Sequence, residues 1–386
     1  MIKANYPLSK FQDIQTPFYY YDLDLLRSTI AEVKTQSAKS DFVVHYAMKA
    51  NVNTSVLEVI KNAGLGADCV SGGEVQAAVD AGIAPSKIVF AGVGKADWEI
   101  NLALDNDIFC FNVESIPELE VIDELAGKKG KTAQVALRIN PNVSAHTHHY
   151  ITTGLSENKF GINMSEINKV IDLSLTLTSV KLIGIHFHIG SQITDMTSFQ
   201  GLCVRVNEIQ ETFDARGIVL DHINVGGGLG INYEHPNHFS IPDFESYFKV
   251  FREHLILKPH QKLHFEIGRA IVAQCGSLIS KVLYVKVGTS KSFVILDAGF
   301  TELIRPALYQ AYHRIENLSS ALPDEEYDVV GPICESSDTF VKNYMMNGTH
   351  RGDIIALRSA GAYGEIMASQ YNLRKLPKAY TSDELK

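Results

Sequence analysis

The chain has 386 residues, 45% of them hydrophobic, and carries a formal net charge of −9. Its length suits about two domains, one of them large enough for a barrel of about 250 residues. The acidic balance and the lack of any lysine or arginine block argue against nucleic acid and an anionic membrane as partners, and no stretch approaches the roughly 18 apolar residues of a membrane span. The opening Met1-Ile-Lys-Ala-Asn-Tyr-Pro7 has no signal-peptide core, and the closing Asp383-Glu-Leu-Lys386 is in the wrong order for a retention signal, so a cytoplasmic protein is expected. Five scattered cysteines, Cys69, Cys110, Cys203, Cys275 and Cys334, never form a C-x-x-C pair. Neither a disulfide framework nor a zinc ribbon fits that spacing.

Thr16-Pro-Phe-Tyr-Tyr-Tyr21 reads as a short aromatic strand ahead of a helix that opens near Asp24. Short apolar runs then alternate with helical segments. The strands are predicted at Phe42–Ala47, Ala67–Val70, Ile88–Ala91, Ile108–Asn112, Gln134–Ile139, Leu182–His188, Ile223–Val225 and Leu263–Glu266. Between them lie runs with helical spacing, such as Ser55-Val-Leu-Glu-Val-Ile-Lys61 and Gly73-Glu-Val-Gln-Ala-Ala-Val-Asp80. Eight repeats of this rhythm predict a closed (β/α)₈ TIM-type barrel over residues 26–270, with a doubly wound sheet as the alternative. After residue 270 the texture changes to short strands at Ile279–Val287, Ser292–Asp297, Tyr327–Val330 and Asp353–Leu357. Residues 271–386 are therefore expected to form an all-β sandwich or barrel domain that also takes residues 1–25, including the strand near Tyr19.

A barrel places its chemistry at the C-terminal ends of its strands, and phosphate sites favour the loops after strands seven and eight. Lys49 ends the first barrel run, where burial of the ammonium would favour the neutral amine used in imine chemistry; a lysine that reaches solvent is the alternative. After the seventh strand, Gly226-Gly-Gly-Leu-Gly230 offers backbone N–H groups to an anion, or forms a plain turn. After the eighth, Glu266-Ile-Gly-Arg269 places a carboxylate and a guanidinium where one can meet a protonated heterocycle and the other a phosphate or carboxylate. His186-Phe-His188 leaves the sixth strand with both imidazoles on one side. It suits either a metal, with His146, His148 and His149 as further ligands, or a platform for a planar cofactor with Ser191 donating to its phosphate. A core histidine is the simpler reading of His186. Lysine, glycine cup, imidazole and carboxylate together are the fittings of an aldehyde cofactor with a pyridine ring and a phosphate, whereas a metal-dependent hydrolase needs no glycine cup.

From about Thr16 to about Asn372 the chain resembles the diaminopimelate decarboxylases, in the alanine-racemase-like fold-type III class of pyridoxal-phosphate enzymes. The resemblance rests on Tyr46-Ala-Met-Lys-Ala-Asn51, Ser71-Gly-Gly-Glu74, His188-Ile-Gly-Ser-Gln192, Gly226–Gly230, Glu266–Arg269, Arg305-Pro-Ala-Leu-Tyr309, Gly331-Pro-Ile-Cys-Glu-Ser-Ser337 and Ala362-Tyr-Gly364. It implies that Lys49 is the covalent anchor of pyridoxal 5'-phosphate and that His188 stacks on the ring. Ser191, Gly226, Gly227, Gly228, Gly268 and Arg269 would hold the phosphate, and Glu266 would pair with the pyridine nitrogen. Racemases of this fold are expected to carry an arginine at that last point, so Glu266 favours decarboxylation. Arg269, Arg305 and Tyr309 suit the distal carboxylate of meso-diaminopimelate and Glu335 its distal ammonium. An ornithine or arginine decarboxylase, the runner-up, has no distal carboxylate to bind. By resemblance either Lys49 or Cys334 is the proton donor, with a small buried hydrophobe as the alternative reading of Cys334, and Tyr363 touches cofactor or substrate. The Cys334–Glu335 segment is expected to enter the partner's site, which implies a homodimer. Two positions depart from the family pattern: Ile267 replaces a usual proline, and Val93 stands where asparagine is common.

Overall fold

The computed structural model describes residues 6–142 and 159–386. The chain forms two compact units, one of Ile30–Gly230 with Asp243–Gly268, the other of Met1–Thr29, Ile231–Pro242 and Arg269–Lys386. The excursion Ile231–Pro242, which the sequence reading left inside the barrel, belongs to the second unit.

Strand β1 (Phe18–Tyr21) lies in that second unit, and the barrel follows it in the chain: β2 (Val43–Ala47), β3 (Gly66–Cys69), β4 (Ile88–Phe90), β5 (Cys110–Val113), β6 (Ala133–Arg138), β7 (Val180–His186), β8 (His222–Asn224) and β9 (Lys262–Ile267). All eight are parallel and closed, with Val43 opposite His264 and His45 opposite Glu266 at the β2–β9 seam. Helices cover the outside, so most strand residues are buried on both faces and read as unbroken apolar runs. Helix Thr54–Asn62 shows how the outer ring is specified: Asn53 caps it by accepting from Ser55 N–H, and Val56, Leu57 and Ile60 form its buried stripe. Ser71 and Ser115 cap the helices after β3 and β5 in the same way.

The lower barrel interior is not aliphatic. His45 Nε2 and His264 Nδ1 are 2.9 Å apart, His45 Nδ1 meets the Lys87 carbonyl at 3.0 Å, and the His222 and His264 rings lie 4.0 Å centre to centre. Burial lowers the proton affinity of all three imidazoles and keeps them neutral. Gly184 in β7 leaves them room, because a Cβ there would sit 2.0 Å from the His222 carbonyl oxygen.

In the second unit, β10 (Gly276–Val287) is shared between two groups of strands. Its first half pairs with β1 and β15 (Ile354–Leu357), its second half with β11 (Ser292–Leu296), and the register shifts between Val282 and Tyr284. β12 (Ile315–Asn317), β13 (Asp324–Val330), β14 (Thr339–Asn347) and β16 (Lys378–Thr381) complete an eight-stranded sheet. The N-terminal strand joins this domain as expected. Phe11, Phe18, Tyr20, Ile279, Ile354 and Ala356 form its core beside β1. Among the described residues no helix is long and apolar enough to cross a membrane.

Candidate active site

The C-terminal rim of the barrel gathers polar side chains from six strands. Lys49 sits in the single turn Met48–Ala50 directly after β2, and Gly268 packs against that turn so closely that a Cβ would lie 3.0 Å from Ala47 and Ala50. The amine is not buried as expected. Its side chain is 36% exposed, and Nζ lies 3.1 Å from Oδ2 of Asp68, a wholly buried residue of β3. An ion pair, rather than desolvation, holds the lysine. Burial, with Glu266 adding to it, pushes Asp68 up to about 6. Burial likewise pushes Glu74 up to about 7, against the pull of the Val70 N–H that donates to it.

Glu266, near the end of β9, is the best-supported group of the rim. Its Oε1 accepts from Asn112 Nδ2 at 3.0 Å and Asn224 Nδ2 at 2.8 Å, and its Oε2 lies 2.9 Å from His186 Nε2. Burial raises its proton affinity, while Lys49 and His45 pull the other way. His186 is pushed down to about 3 by burial first and Arg138 second. It is therefore neutral, and its Nε2–H donates to the carboxylate. This is more than the core histidine that the sequence suggested. Arg138, at the end of β6, donates to Glu114 at 2.6 Å. Glu114 also takes the Gly92 and Gly161 N–H groups, tying together the loops after β4, β5 and β6.

The loops after β7 and β8 are zipped together: Ile193 N–H donates to Gly228 O, and Gly230 N–H donates to Ile193 O, both at 2.9 Å. That pairing sets the half-buried Ser191 beside the glycine run. The glycines themselves are required by packing. A Cβ on Gly227 would be 1.9 Å from the Glu266 carbonyl oxygen and one on Gly226 2.3 Å from that of Phe187, and Gly226 and Gly228 have φ of 68° and 104°. Gly226 N–H is spent on Asn224 Oδ1 and Gly227 N–H reaches His188 Nδ1 at 3.4 Å, so the run is less open to an anion than its composition implied. Burial leaves the His188 imidazole neutral.

Three buried polar atoms of this rim, Asp68 Oδ1, Asn112 Oδ1 and His186 Nδ1, lack a hydrogen-bond partner among the described residues. Each such atom costs about 1–3 kcal/mol until something polar meets it. A lysine, an anchored carboxylate and these unmet acceptors fit a polar, cationic heterocycle. No group of three or more His, Cys, Asp or Glu among the described residues is arranged to hold a metal, and His146, His148 and His149 lie outside the described residues.

The second unit carries the remaining predicted residues. Arg269 opens the turn Arg269–Val272 and lies 4.9 Å over the Tyr363 ring; Arg305 opens helix Arg305–Tyr309, which ends at the half-buried Tyr309. Both guanidiniums are buried and converge on Tyr233. Cys334 is exposed, unlike the other four cysteines, which removes the buried-hydrophobe reading. It shares a loop with Glu335, which accepts from Tyr371 Oη at 2.7 Å, and Asp338 pins this loop by accepting from Ile333 N–H and Phe300 N–H. Neither Cys334 nor Glu335 joins the arginine pair. Asp68, Asn112, Asn224, Arg138 and Tyr233 escaped the sequence reading. For Asp68 a signal existed: a charged residue near the C-terminal end of an otherwise apolar strand.

Residues 23–273 match the profile described as the pyridoxal-binding domain of pyridoxal-dependent decarboxylases. A diaminopimelate decarboxylase of Bacteroides thetaiotaomicron is 65% identical over 385 residues, spanning 100% of both chains. One from Helicobacter pylori J99 is 42% identical over 370 residues, 94% of this chain and 89% of the relative. The crystal structure of Helicobacter pylori diaminopimelate decarboxylase complexed with L-lysine matches with a TM-score of 0.91 at 40% identity, covering 97% of this chain and 93% of that one. With the matched profile and full-length identity agreeing, the chain belongs to the diaminopimelate decarboxylases, within the pyridoxal-dependent decarboxylase family.

Proposed function

We propose that the protein decarboxylates meso-2,6-diaminopimelate to L-lysine and CO₂ with pyridoxal 5'-phosphate, as a cytoplasmic homodimer. The observation that carries this reading is the Glu266 carboxylate, 6% exposed and held by three side-chain donors at the barrel rim. Its raised proton affinity suits a group that must share a proton with a basic ring nitrogen. When bound, pyridoxal phosphate supplies the sink for the electron pair released as CO₂ leaves.

The chain's own residues do the rest. Lys49 Nζ would be the covalent anchor of the cofactor, and Asp68 Oδ2 beside it can hold the proton given up by the amine. His188 supplies a neutral imidazole face. Ser191, the turn at Gly226–Gly228, Gly268 and Arg269 would hold the phosphate, and Tyr363 would contact cofactor or substrate. Arg269, Arg305 and Tyr309 bind the distal carboxylate. Glu335 binds the distal ammonium and Cys334 delivers the final proton, both acting across the dimer as the partner's Glu335 and the partner's Cys334. Ornithine and arginine have no second carboxylate to occupy two buried guanidiniums, which favours diaminopimelate over them. The test is a substrate panel: the purified, cofactor-loaded protein should release CO₂ from meso-diaminopimelate and not from L-ornithine or L-arginine. The reverse result would move the chain to the polyamine decarboxylases.

A further inference from the structure

The two arginines proposed for the distal carboxylate share one neighbour that no motif singles out. Tyr233 Oη accepts from Arg269 Nη1 at 2.7 Å and from Arg305 Nη1 at 2.9 Å. The Arg305 guanidinium also lies 5.2 Å over the Tyr233 ring. Burial alone would raise the phenol, but Arg269 and Arg305 together hold it below its usual value. Arg305 is fixed a second time, by His313. His313 Nδ1–H donates to the Arg358 carbonyl at 2.9 Å, which leaves Nε2 to accept from Arg305 Nη1 at 3.1 Å. Burial pushes this imidazole down to about 3, so it is neutral and able to accept. Its ring stands edge-on to Tyr233 with centroids 5.2 Å apart.

Both hydrogens of Arg305 Nη1 are thus committed, one to a phenol and one to an imidazole, and neither to a carboxylate. That leaves the edge formed by Nε and Nη2, which has the side-on geometry that can grip a carboxylate with two parallel hydrogen bonds. We propose that Tyr233 is a positioning residue for substrate selection: its oxygen, shared by Arg269 and Arg305, fixes the spacing of the two guanidiniums, with His313 locking the second. The proposal rests on the diaminopimelate reading and deepens it by naming what holds the carboxylate-binding pair in place.

The test uses the cofactor-loaded enzyme with Tyr233→Phe, which keeps the ring and removes only the oxygen. Two competitive inhibitors separate positioning from general damage: L-lysine, which carries the carboxylate in question, and 1,5-diaminopentane, the same skeleton without it. The expected result is a KM for meso-diaminopimelate and a Ki for L-lysine raised by about 10-fold or more, with kcat altered less than about threefold and the Ki for 1,5-diaminopentane unchanged. Weakening of both inhibitors in parallel, or of neither, would overturn the proposal. Should Tyr233→Phe fail to fold, His313→Gln decides, with a smaller selective rise of about threefold expected for L-lysine alone and a parallel loss counting against it. Turnover of meso-diaminopimelate by the wild type is measured alongside. If that is absent the functional reading itself fails, whereas a wild type that turns over beside a non-selective variant sinks only the role of Tyr233.

Discussion

Replacing Glu266 by glutamine keeps the shape of the side chain and removes its charge. The new amide oxygen can still accept from Asn112 and Asn224, but its NH₂ then faces His186 Nε2, which must give up its proton to become an acceptor. The proton would move to Nδ1, a buried atom with no described partner, at a cost of about 1–2 kcal/mol. Against this stands relief from a buried charge, since burial is what raises the Glu266 pKa. The two effects nearly cancel, so the thermal midpoint should move by only a few degrees. Catalysis has no such offset. A charge-assisted hydrogen bond to a cationic ring nitrogen is worth about 2–4 kcal/mol in the transition state, and its loss should lower kcat by about 30- to 1,000-fold. The assay is CO₂ release from saturating meso-diaminopimelate at matched cofactor occupancy, with a thermal scan of the same samples. A fully loaded Glu266→Gln enzyme within threefold of the wild-type rate would refute the role given to this carboxylate.

Two further outcomes follow from the same rim. The Asp68 pKa is raised from 3.8 to about 6, so its ionised form costs the folded state on the order of 3 kcal/mol at pH 7.5, a penalty that fades as pH falls from 6 towards 4. Asp68→Asn should therefore melt higher than the wild type at pH 7.5 in the cofactor-free protein, with the gap closing towards pH 4, while activity falls at least about tenfold because Lys49 loses its partner; a variant less stable at pH 7.5 would contradict this. Gly227→Ala would press a Cβ to 1.9 Å from the Glu266 carbonyl oxygen. The resulting shift of the loop after β8 against strand β9 should lower the melting temperature by roughly 5–15 °C, and an unchanged melt would show that these backbones do not approach so closely.

The barrel was legible because parallel strands covered by helices outside and closed on one another inside are buried on both faces and mostly apolar, and each of the eight predicted runs lies within two residues of its strand. β14 was missed for the opposite reason: it is largely solvent-facing, and Asn343 at a φ of 51° sits beside a register shift, so no alternation survives in the sequence. In the site, residues inside dense motifs such as Lys49, His188 and Glu266 stood out, whereas Asn112 and Asn224 become meaningful only when closure of the barrel turns both towards one carboxylate. Tyr233 carries no local signal at all, since its role depends on two arginines that are 36 and 72 residues further along the chain. The reason offered for Lys49 also changed, from a buried amine to a half-exposed one paired with a buried aspartate.

The most direct test of the central claim is the product balance of one reaction. Purified protein supplied with pyridoxal phosphate and meso-diaminopimelate should yield L-lysine and CO₂ in equal amounts, and Lys49→Ala should yield neither. Failure of the wild type to form lysine, or near-normal turnover by Lys49→Ala, would contradict it.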